Sequence, residues 1–190
     1  MTDHNALLDR YLAQHCAPTL LGAKSASLVS VPQVEFPALD RQIEEYNRRY
    51  AECGLVFRRL CRCRSRVLLM AYRPALLRQE VTVPRTVQML AKAGYAPGLS
   101  LEQLLDRLEQ RFAEGGEFPH EIGLFLGYPP EDVEAFVLTG GKGCKLCGYW
   151  KVYHDVEAAK ARFASFDACR NCLCRVLETG MSISQLLCAA

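Results

Sequence analysis

Short runs of strand-forming residues interrupt a chain whose apolar residues otherwise recur at helical spacing. Residues 55–60 and 67–72 are rich in aliphatic and aromatic side chains and are joined by the polar stretch 61–66. Two such runs across a short connection predict an antiparallel β-hairpin. Residues 26–31 form another apolar run, which ends at Pro32 and predicts a further strand. The sequence therefore predicts an α+β fold: a single helix-rich domain spanning residues 1–190 with a small antiparallel sheet.

Apolar side chains repeat every three or four residues in most of the remaining chain, which predicts helices. The first helix is expected from Asp3 to about His15 and Cys16, because Pro18 limits its extension. Residues 145–153 have the aromatic content of a strand. The later helices are expected over 36–47, 84–93, 101–112, 118–127, a short stretch after Pro130, and 156 to Gly180. Their expected N-terminal caps are Ser100, Asp155 and, for a final turn, the Ser182–Gln185 pair.

The composition is that of a folded, water-soluble protein. Half of the residues are apolar, and the formal net charge is +2. The sequence has neither a cationic start followed by an apolar run nor a stretch of about 18 apolar residues. We therefore expect a cytoplasmic protein with no membrane partner. In a reducing compartment its ten cysteines are expected to be free, catalytic or metal-bound rather than cross-linked.

Charge is distributed unevenly along the chain. Ten arginines and only two acids lie between Arg48 and Arg85, whereas nine acids and two arginines lie between Glu102 and Glu134. The arginine-rich part can steer an anionic ligand, although solvated surface charge is the commoner reason for such a pattern. An arginine-rich adaptor or RNA-binding module is therefore the last-ranked alternative, and nucleic acid is not expected as a partner because the net charge is small.

Two cysteine pairs toward the end of the chain have the spacing of metal ligands. Cys144-x-x-Cys147 is followed by a glycine, and Cys169-x-x-Cys172 begins after 21 intervening residues. Four thiolates in such pairs can hold a tetrahedral zinc ion. The second pair falls within a predicted helix, where cysteines are often small core residues. The four-cysteine set is therefore the alternative metal site, not the leading one.

A thiol, an imidazole and a carboxylate form the second candidate site. Cys16 as a nucleophile or redox thiol needs a base within hydrogen-bond reach, and His120 is the candidate base. Glu121 would orient that base, and His15 is a further catalytic candidate, although by residue type alone a packed histidine and a helix-capping acid are the commoner explanations of these two residues. Imidazole and thiolate also ligate iron or zinc, so His15, Cys16, His120 and Cys147 form the leading metal set.

Three motifs carry a resemblance to a known family. They are His15-Cys16-Ala17-Pro18, Phe118-Pro119-His120-Glu121-Ile122-Gly123 with Leu126-Gly127-Tyr128-Pro129, and Cys147-Gly148-Tyr149-Trp150-Lys151-Val152-Tyr153. Over nearly the whole chain, the sequence resembles a domain-of-unknown-function family of small cytoplasmic proteins from anaerobic Gram-positive bacteria. The resemblance implies no defined activity, but its association with genes for ferrous-iron uptake and flavodoxins implies a metal or redox role. It emphasises His15, Cys16, His120, Glu121, Cys147, Tyr149 and Lys151.

The leading hypothesis is a thiol-dependent or redox enzyme that acts on a small polar or anionic substrate. Its pocket is expected where the first helix, the Phe118 segment and the Tyr149 strand converge. The alternative from a different class is a non-catalytic protein of metal homeostasis that binds iron, zinc or haem. The expected partner is thus a small molecule or a metal, and the oligomeric state is open. The substrate is expected to contact Lys151, Tyr149, Lys24 and Arg73.

Overall fold

The computed structural model describes residues 3–62, 65–115 and 117–187. Helices account for most of this part of the chain, and they alternate with two small antiparallel sheets. The predicted α+β class is therefore confirmed. In chain order the elements are α1 (Asp3–Leu20), β1 (Ala26–Pro32), α2 (Leu39–Tyr50), β2 (Val56–Arg62), β3 (Arg66–Tyr72), α3 (Pro74–Thr82), α4 (Pro84–Lys92), α5 (Leu101–Ala113), α6 (Ile122–Phe125), α7 (Pro130–Thr139), β4 (Leu146–Cys147), β5 (Lys151–Val152), α8 (Val156–Glu178) and α9 (Ile183–Leu187).

The chain divides into two compact units. Unit 1 comprises residues 1–75 and 166–190, and unit 2 comprises residues 76–165. Unit 2 is therefore a continuous segment inserted between the two parts of unit 1. None of the helices among the described residues is both long and apolar enough to span a membrane.

Unit 1 is built on the sheet β1-β3-β2, in which both neighbours run antiparallel to the central strand β3. The β2–β3 hairpin predicted from the sequence is confirmed, with a register shift between Arg59 and Cys61. Alternate strand residues such as Val29, Val31 and Leu69 belong to a buried core to which α1 and α2 also contribute. Leu173 and Leu177 from the end of α8 and Ile183 from α9 complete this core, so unit 1 needs both of its chain segments.

The predicted end of the first helix near Cys16 is wrong, because α1 continues to Leu20 with Pro18 inside it. Proline lacks the backbone donor that would bond to the carbonyl of Gln14, and its ring crowds that carbonyl, so contacts from outside the helix must help to hold the last turn. The Arg73 guanidinium supplies such interactions, since it donates to the carbonyl oxygens of Thr19 and Leu20. The helix end is thus fixed by a residue 53 positions away from Leu20.

Unit 2 contains α3 apart from its first two residues, the helices α4 to α7, the short hairpin β4–β5 and the first part of α8. The predicted Ser100 cap is confirmed as a capping box with Gln103, and Asp155 accepts a hydrogen bond from the Ala158 amide at the start of α8. Two predictions are wrong here. The expected strand over 145–153 is a hairpin of two-residue strands, and the helix expected over 118–127 is limited to α6.

Candidate functional site

A pocket of about 410 Å³ in unit 2 contains two of the predicted catalytic residues, His120 and Glu121. Side chains from α4, α5 and α7 and from the segment 117–124 form its walls, which are largely apolar. We call it the His120 pocket; its lining residues are Met89, Lys92, Ala93, Arg111, Glu117, Phe118, His120, Glu121, Leu124, Val133, Glu134, Val137 and Leu138.

The His120 ring is exposed, and two aromatic side chains contact it. Its centroid lies 5.9 Å from that of Phe118 and 5.0 Å from that of Phe136, in the second case edge to face. Within the described part of the chain, the His120 ring forms no hydrogen bond. Aromatic packing therefore restricts the ring while both nitrogens stay available to a bound molecule.

Glu121 is a buried carboxylate whose charge is balanced by an arginine. Its Oε1 atom accepts hydrogen bonds from Arg111 Nε at 3.0 Å and from the Tyr95 hydroxyl at 3.3 Å. Hydrogen bonding to Glu121 raises the pKa of Arg111, while burial and then the Glu121 charge raise the pKa of Tyr95. Oε2 forms no hydrogen bond with a described residue, and neither oxygen contacts the His120 ring by such a bond. Glu121 therefore acts as a fixed charge in the wall.

Sequence reasoning missed both partners of Glu121. Arg111 lies in the last turn of α5, and Tyr95 lies in the connection between α4 and α5. The one available signal was that Arg111 is one of only two arginines in an acidic stretch of the sequence. Tyr95 also lines a second, mainly apolar cavity of about 410 Å³ in unit 2. Its hydroxyl, in contrast, bonds to Glu121 in the wall of the His120 pocket.

The two substrate-binding residues predicted in unit 2 have structural contacts. Lys151 Nζ donates to the carbonyl oxygen of Gly141 at 2.7 Å and lies 5.6 Å from the centroid of the Phe136 ring. The Tyr149 ring packs against Phe163, with 5.5 Å between the centroids. Neither residue belongs to the walls of the His120 pocket. Lys151 instead holds the glycine loop that precedes the hairpin β4–β5.

Cys16, the predicted nucleophile, is completely buried in the core of unit 1. Burial raises the pKa of its thiol to about 12, although the nearby Lys24 ammonium acts in the opposite direction. Lys24 is itself buried, and its Nζ lies 5.9 Å from the ring centroid of Phe166. At neutral pH a thiol with such a pKa is a thiolate in roughly one molecule in 10⁵, which disfavours nucleophilic attack.

The continuation of α1 past Cys16 determines the environment of the His15 side chain. Consecutive helical residues point about 100° apart, so the His15 ring is exposed while Cys16 faces the core. Partial burial, and then the charges of Arg170 and Arg66, lower the pKa of the imidazole. Its ring packs against Tyr11, with 4.7 Å between the centroids. An adjacent histidine and cysteine in one helix are poorly placed to ligate the same ion.

Arg73, predicted to bind substrate, is engaged with backbone oxygens of unit 1. Besides its two contacts at the end of α1, it donates to the carbonyl oxygen of Cys53 at 2.9 Å. Burial lowers the pKa of its guanidinium. These contacts give Arg73 a structural role as the cap at the C-terminal end of α1.

Asp132 is a buried acid that the sequence did not indicate as important. Its Oδ2 accepts from the indole nitrogen of Trp150 at 2.8 Å, and its Oδ1 accepts from the amides of Tyr153 and His154. Trp150 also stacks on Tyr128 and meets Phe163 edge to face. The motifs around Tyr128 and Trp150 thus pack on one another, and they fix the hairpin that carries Cys147.

Among the described residues, no three His, Cys, Asp or Glu side chains form a group that could hold a metal ion. Both metal sets predicted from the sequence, and the catalytic set of Cys16, His120 and Glu121, draw residues from both units. His15, Cys16, Cys169 and Cys172 belong to unit 1, and the remaining members belong to unit 2. Those sets stay predictions.

Comparison with known proteins places the chain in a family. Residues 12–187 match the model of a family described as a protein of unknown function (DUF3793), and the chain belongs to that family. This confirms the expected membership of a domain-of-unknown-function family. No curated protein and no solved structure matches the chain.

Proposed function

We propose that this member of the DUF3793 family binds a small, partly apolar molecule in the His120 pocket and that His120 exchanges a proton with it. One observation carries the proposal. The imidazole lines a pocket, is restricted by two aromatic rings and forms no hydrogen bond within the described chain. Histidine is the side chain that most often serves as a general acid or base in catalysis.

The size and the walls of the pocket support a small-molecule ligand. Its volume of about 410 Å³ falls in the range of roughly 300 to 1,000 Å³ that is usual for such sites. Leu124, Val133 and Val137 provide an apolar surface, and the polar residues of the wall include His120 and Glu121. The ligand would accordingly bury an apolar part against these side chains and direct its polar end toward His120.

The charged groups of the wall favour a polar end that can donate a hydrogen bond. Arg111 is paired with Glu121, and Lys92 lies 3.8 Å from Glu134, so two cations of the wall already have acidic partners. Glu121 Oε2 is an acceptor without a hydrogen bond to a described residue. A hydroxyl, amine or amide could donate to this oxygen while it shares a proton with His120. Such a ligand belongs to the polar substrates expected from the sequence.

The proposal assigns the chemistry to proton transfer and not to a cysteine. Among the cysteines that the structure describes, none contributes to the walls of the His120 pocket. The burial of Cys16 and the raised pKa of its thiol also argue against a thiolate nucleophile at that position.

Ligand screening with a matched pair of histidine variants tests this proposal. We would record amide and histidine-ring NMR spectra of the full chain with a library of small alcohols, amines, amides and carbon acids. Binders are expected to shift the signals of His120 and of the α6 amides. His120→Ala should weaken their binding about tenfold or more, which corresponds to about 1.4 kcal/mol. Carbon acids among them should exchange hydrogen for deuterium in D₂O only when His120 is present.

His154→Ala is the control, because His154 is exposed, lies in the same unit and does not line the pocket. The His154→Ala variant should bind the ligands and exchange their hydrogen at the same rates as the unmodified protein. The proposal fails if binders perturb only residues outside the pocket, or if the two alanine variants bind them equally well.

A further inference from the structure

We infer that the second cavity of unit 2 binds a carboxylic acid with an apolar tail. The cavity has a volume of about 410 Å³ and lies between α3, α4, the connection from α4 to α5, and the start of α5. The carboxylate would pair with Arg78, and the tail would pack on the apolar side chains of the wall. The two cavities share no lining residue, and this inference does not rest on the function proposed for the His120 pocket.

The apolar part of the wall suits the tail of such a ligand. Four aliphatic residues from three helices line the cavity and are buried: Val81, Leu90, Leu101 and Leu104. Val87 also lines the cavity and is 44% exposed, so apolar surface is open to solvent there. A tail that covers this surface favours binding by about fourfold for each buried methylene. The cavity volume lies in the usual range for small-molecule sites, which is roughly 300 to 1,000 Å³.

Among the polar side chains of the wall, Arg78 is the one whose charged group is available to a ligand. Its guanidinium forms no ion pair or hydrogen bond with a described residue. The Thr82 hydroxyl donates to carbonyl oxygens of α3, and Ser100 Oγ accepts from an amide of α5. The Tyr95 hydroxyl bonds to a carboxylate outside this cavity, and Glu102 has a partner of its own. The charge that the wall presents to a ligand is therefore positive.

A carboxylate is the anion that best matches a single arginine. Its two oxygens can accept two parallel N–H bonds from the guanidinium. It carries one negative charge, which Arg78 balances. A phosphate monoester would bring additional charge, and the described wall contains no second cation. Arg78 would repel an amine, so we expect the site to select an acid over an alcohol or an amine with the same tail.

Contacts within the protein hold the wall in place without a ligand. The centroid of the Tyr95 ring lies 5.9 Å from that of Phe125, and the Tyr95 hydroxyl bonds to Glu121. The capping box of Ser100 and Gln103 fixes the start of α5. A cavity that is already formed loses little conformational freedom on binding, which favours affinity.

Titration of the full chain with octanoate tests this inference. Methyl NMR spectra, recorded at concentrations where octanoate is monomeric, should show saturable shifts of the Leu90, Leu101 and Leu104 signals. Octan-1-ol has the same tail without the charge and should bind about fivefold more weakly, and octylamine should bind more weakly still. Hexanoate is two methylenes shorter than octanoate and should bind about tenfold more weakly.

Three variants assign the binding to the cavity. Arg78→Gln should weaken octanoate binding about fivefold and leave octan-1-ol binding unchanged, because it removes only the charge. Arg85→Gln is the matched control, since Arg85 is also exposed but does not line the cavity. Ala91→Phe enlarges an exposed residue of the wall, so it should weaken the binding of both ligands about tenfold. Circular dichroism checks that each variant is folded.

His120→Ala separates this site from the His120 pocket. The variant should bind octanoate like the unmodified protein, so a failure of the function proposed for that pocket would not affect this result. The inference is overturned if octan-1-ol or octylamine binds as tightly as octanoate, or if Arg78→Gln and Arg85→Gln bind octanoate equally well. Binding that is not saturable, or shifts confined to signals outside the cavity, would also overturn it.

Discussion

The chemical environment of each candidate residue determines what it can do, and Cys16 shows this most clearly. Its side chain lies in the same core as Leu12 and Leu20, and burial away from solvent disfavours the thiolate. Sequence alone placed a cysteine beside a histidine, but it did not reveal that the helix continues past Pro18. Because α1 continues, the two side chains face different surroundings, one buried and one exposed.

Thiol alkylation of the folded protein should reflect this difference in burial. At pH 8 we expect iodoacetamide to modify Cys147 and Cys172 rapidly and Cys16 at least about 1,000-fold more slowly, because only a thiolate reacts and the Cys16 pKa is raised to about 12. Mass spectrometry of peptides after timed quenching measures the rates. In urea the rates should converge. Rapid labelling of Cys16 without denaturant would show that the thiol is accessible and would revive its role as a nucleophile.

At the scale of the secondary-structure elements, the hairpin β4–β5 depends on a residue that is distant in the sequence. Asp132 on α7 accepts three hydrogen bonds from residues 150–154, and it is buried. Its removal would leave three donors without their acceptor. Since strands of two residues have few hydrogen bonds of their own, this acid is expected to be a main determinant of the hairpin.

Asp132→Ala should lower the free energy of unfolding by about 3 kcal/mol, because each buried donor that loses its partner costs about 1 to 3 kcal/mol. Trp150, the only tryptophan in the chain, allows the hairpin to be followed by fluorescence during urea unfolding. Its emission should shift to longer wavelength in Asp132→Ala before the main transition. Glu131→Ala, an exposed neighbour, should change stability by less than about 0.5 kcal/mol. Equal stability of the two variants would refute this role of Asp132.

Elements with local signals could be predicted from the sequence, whereas those set by distant contacts could not. Strand composition, the capping box at Ser100 and the Asp155 cap depend on neighbouring residues, and these predictions are confirmed. The end of α1 depends on Arg73, and the split of the 145–153 segment into a hairpin depends on Asp132. Of the site, His120 and Glu121 were found because their residue types suggest chemistry. Arg111 and Tyr95 were missed because only folding brings them to Glu121.

At the scale of the whole molecule, the order of the units along the chain is the main feature. A direct contact joins the two parts of unit 1, because Asp9 on α1 accepts a hydrogen bond from the Ile183 amide of α9. Asp9 also accepts one from the Tyr46 hydroxyl at 2.6 Å, within the first part. Helix α8 begins in unit 2 and ends in unit 1. The single domain expected from the sequence remains a prediction, and a shared helix is a physical reason to expect cooperative unfolding.

Calorimetry of the full chain should show one transition whose calorimetric and van't Hoff enthalpies agree. Tyr46→Phe in unit 1 and Asp132→Ala in unit 2 should lower the same Tm, by about 2 to 4 °C for each kcal/mol lost. Two resolved transitions, each sensitive to only one of these substitutions, would instead identify two domains. Scans at several rates establish whether unfolding is at equilibrium.

The insertion of unit 2 within unit 1 has a consequence for folding during translation. The ribosome must add the 90 residues of unit 2 before it makes the α8 and α9 residues that complete the core of unit 1. At a translation rate of about 5 to 20 residues per second, part of the apolar surface of the sheet and of α1 stays uncovered for roughly 5 to 20 s. Unit 2, being continuous, faces no such delay, so the nascent chain is expected to acquire its structure from the middle outward.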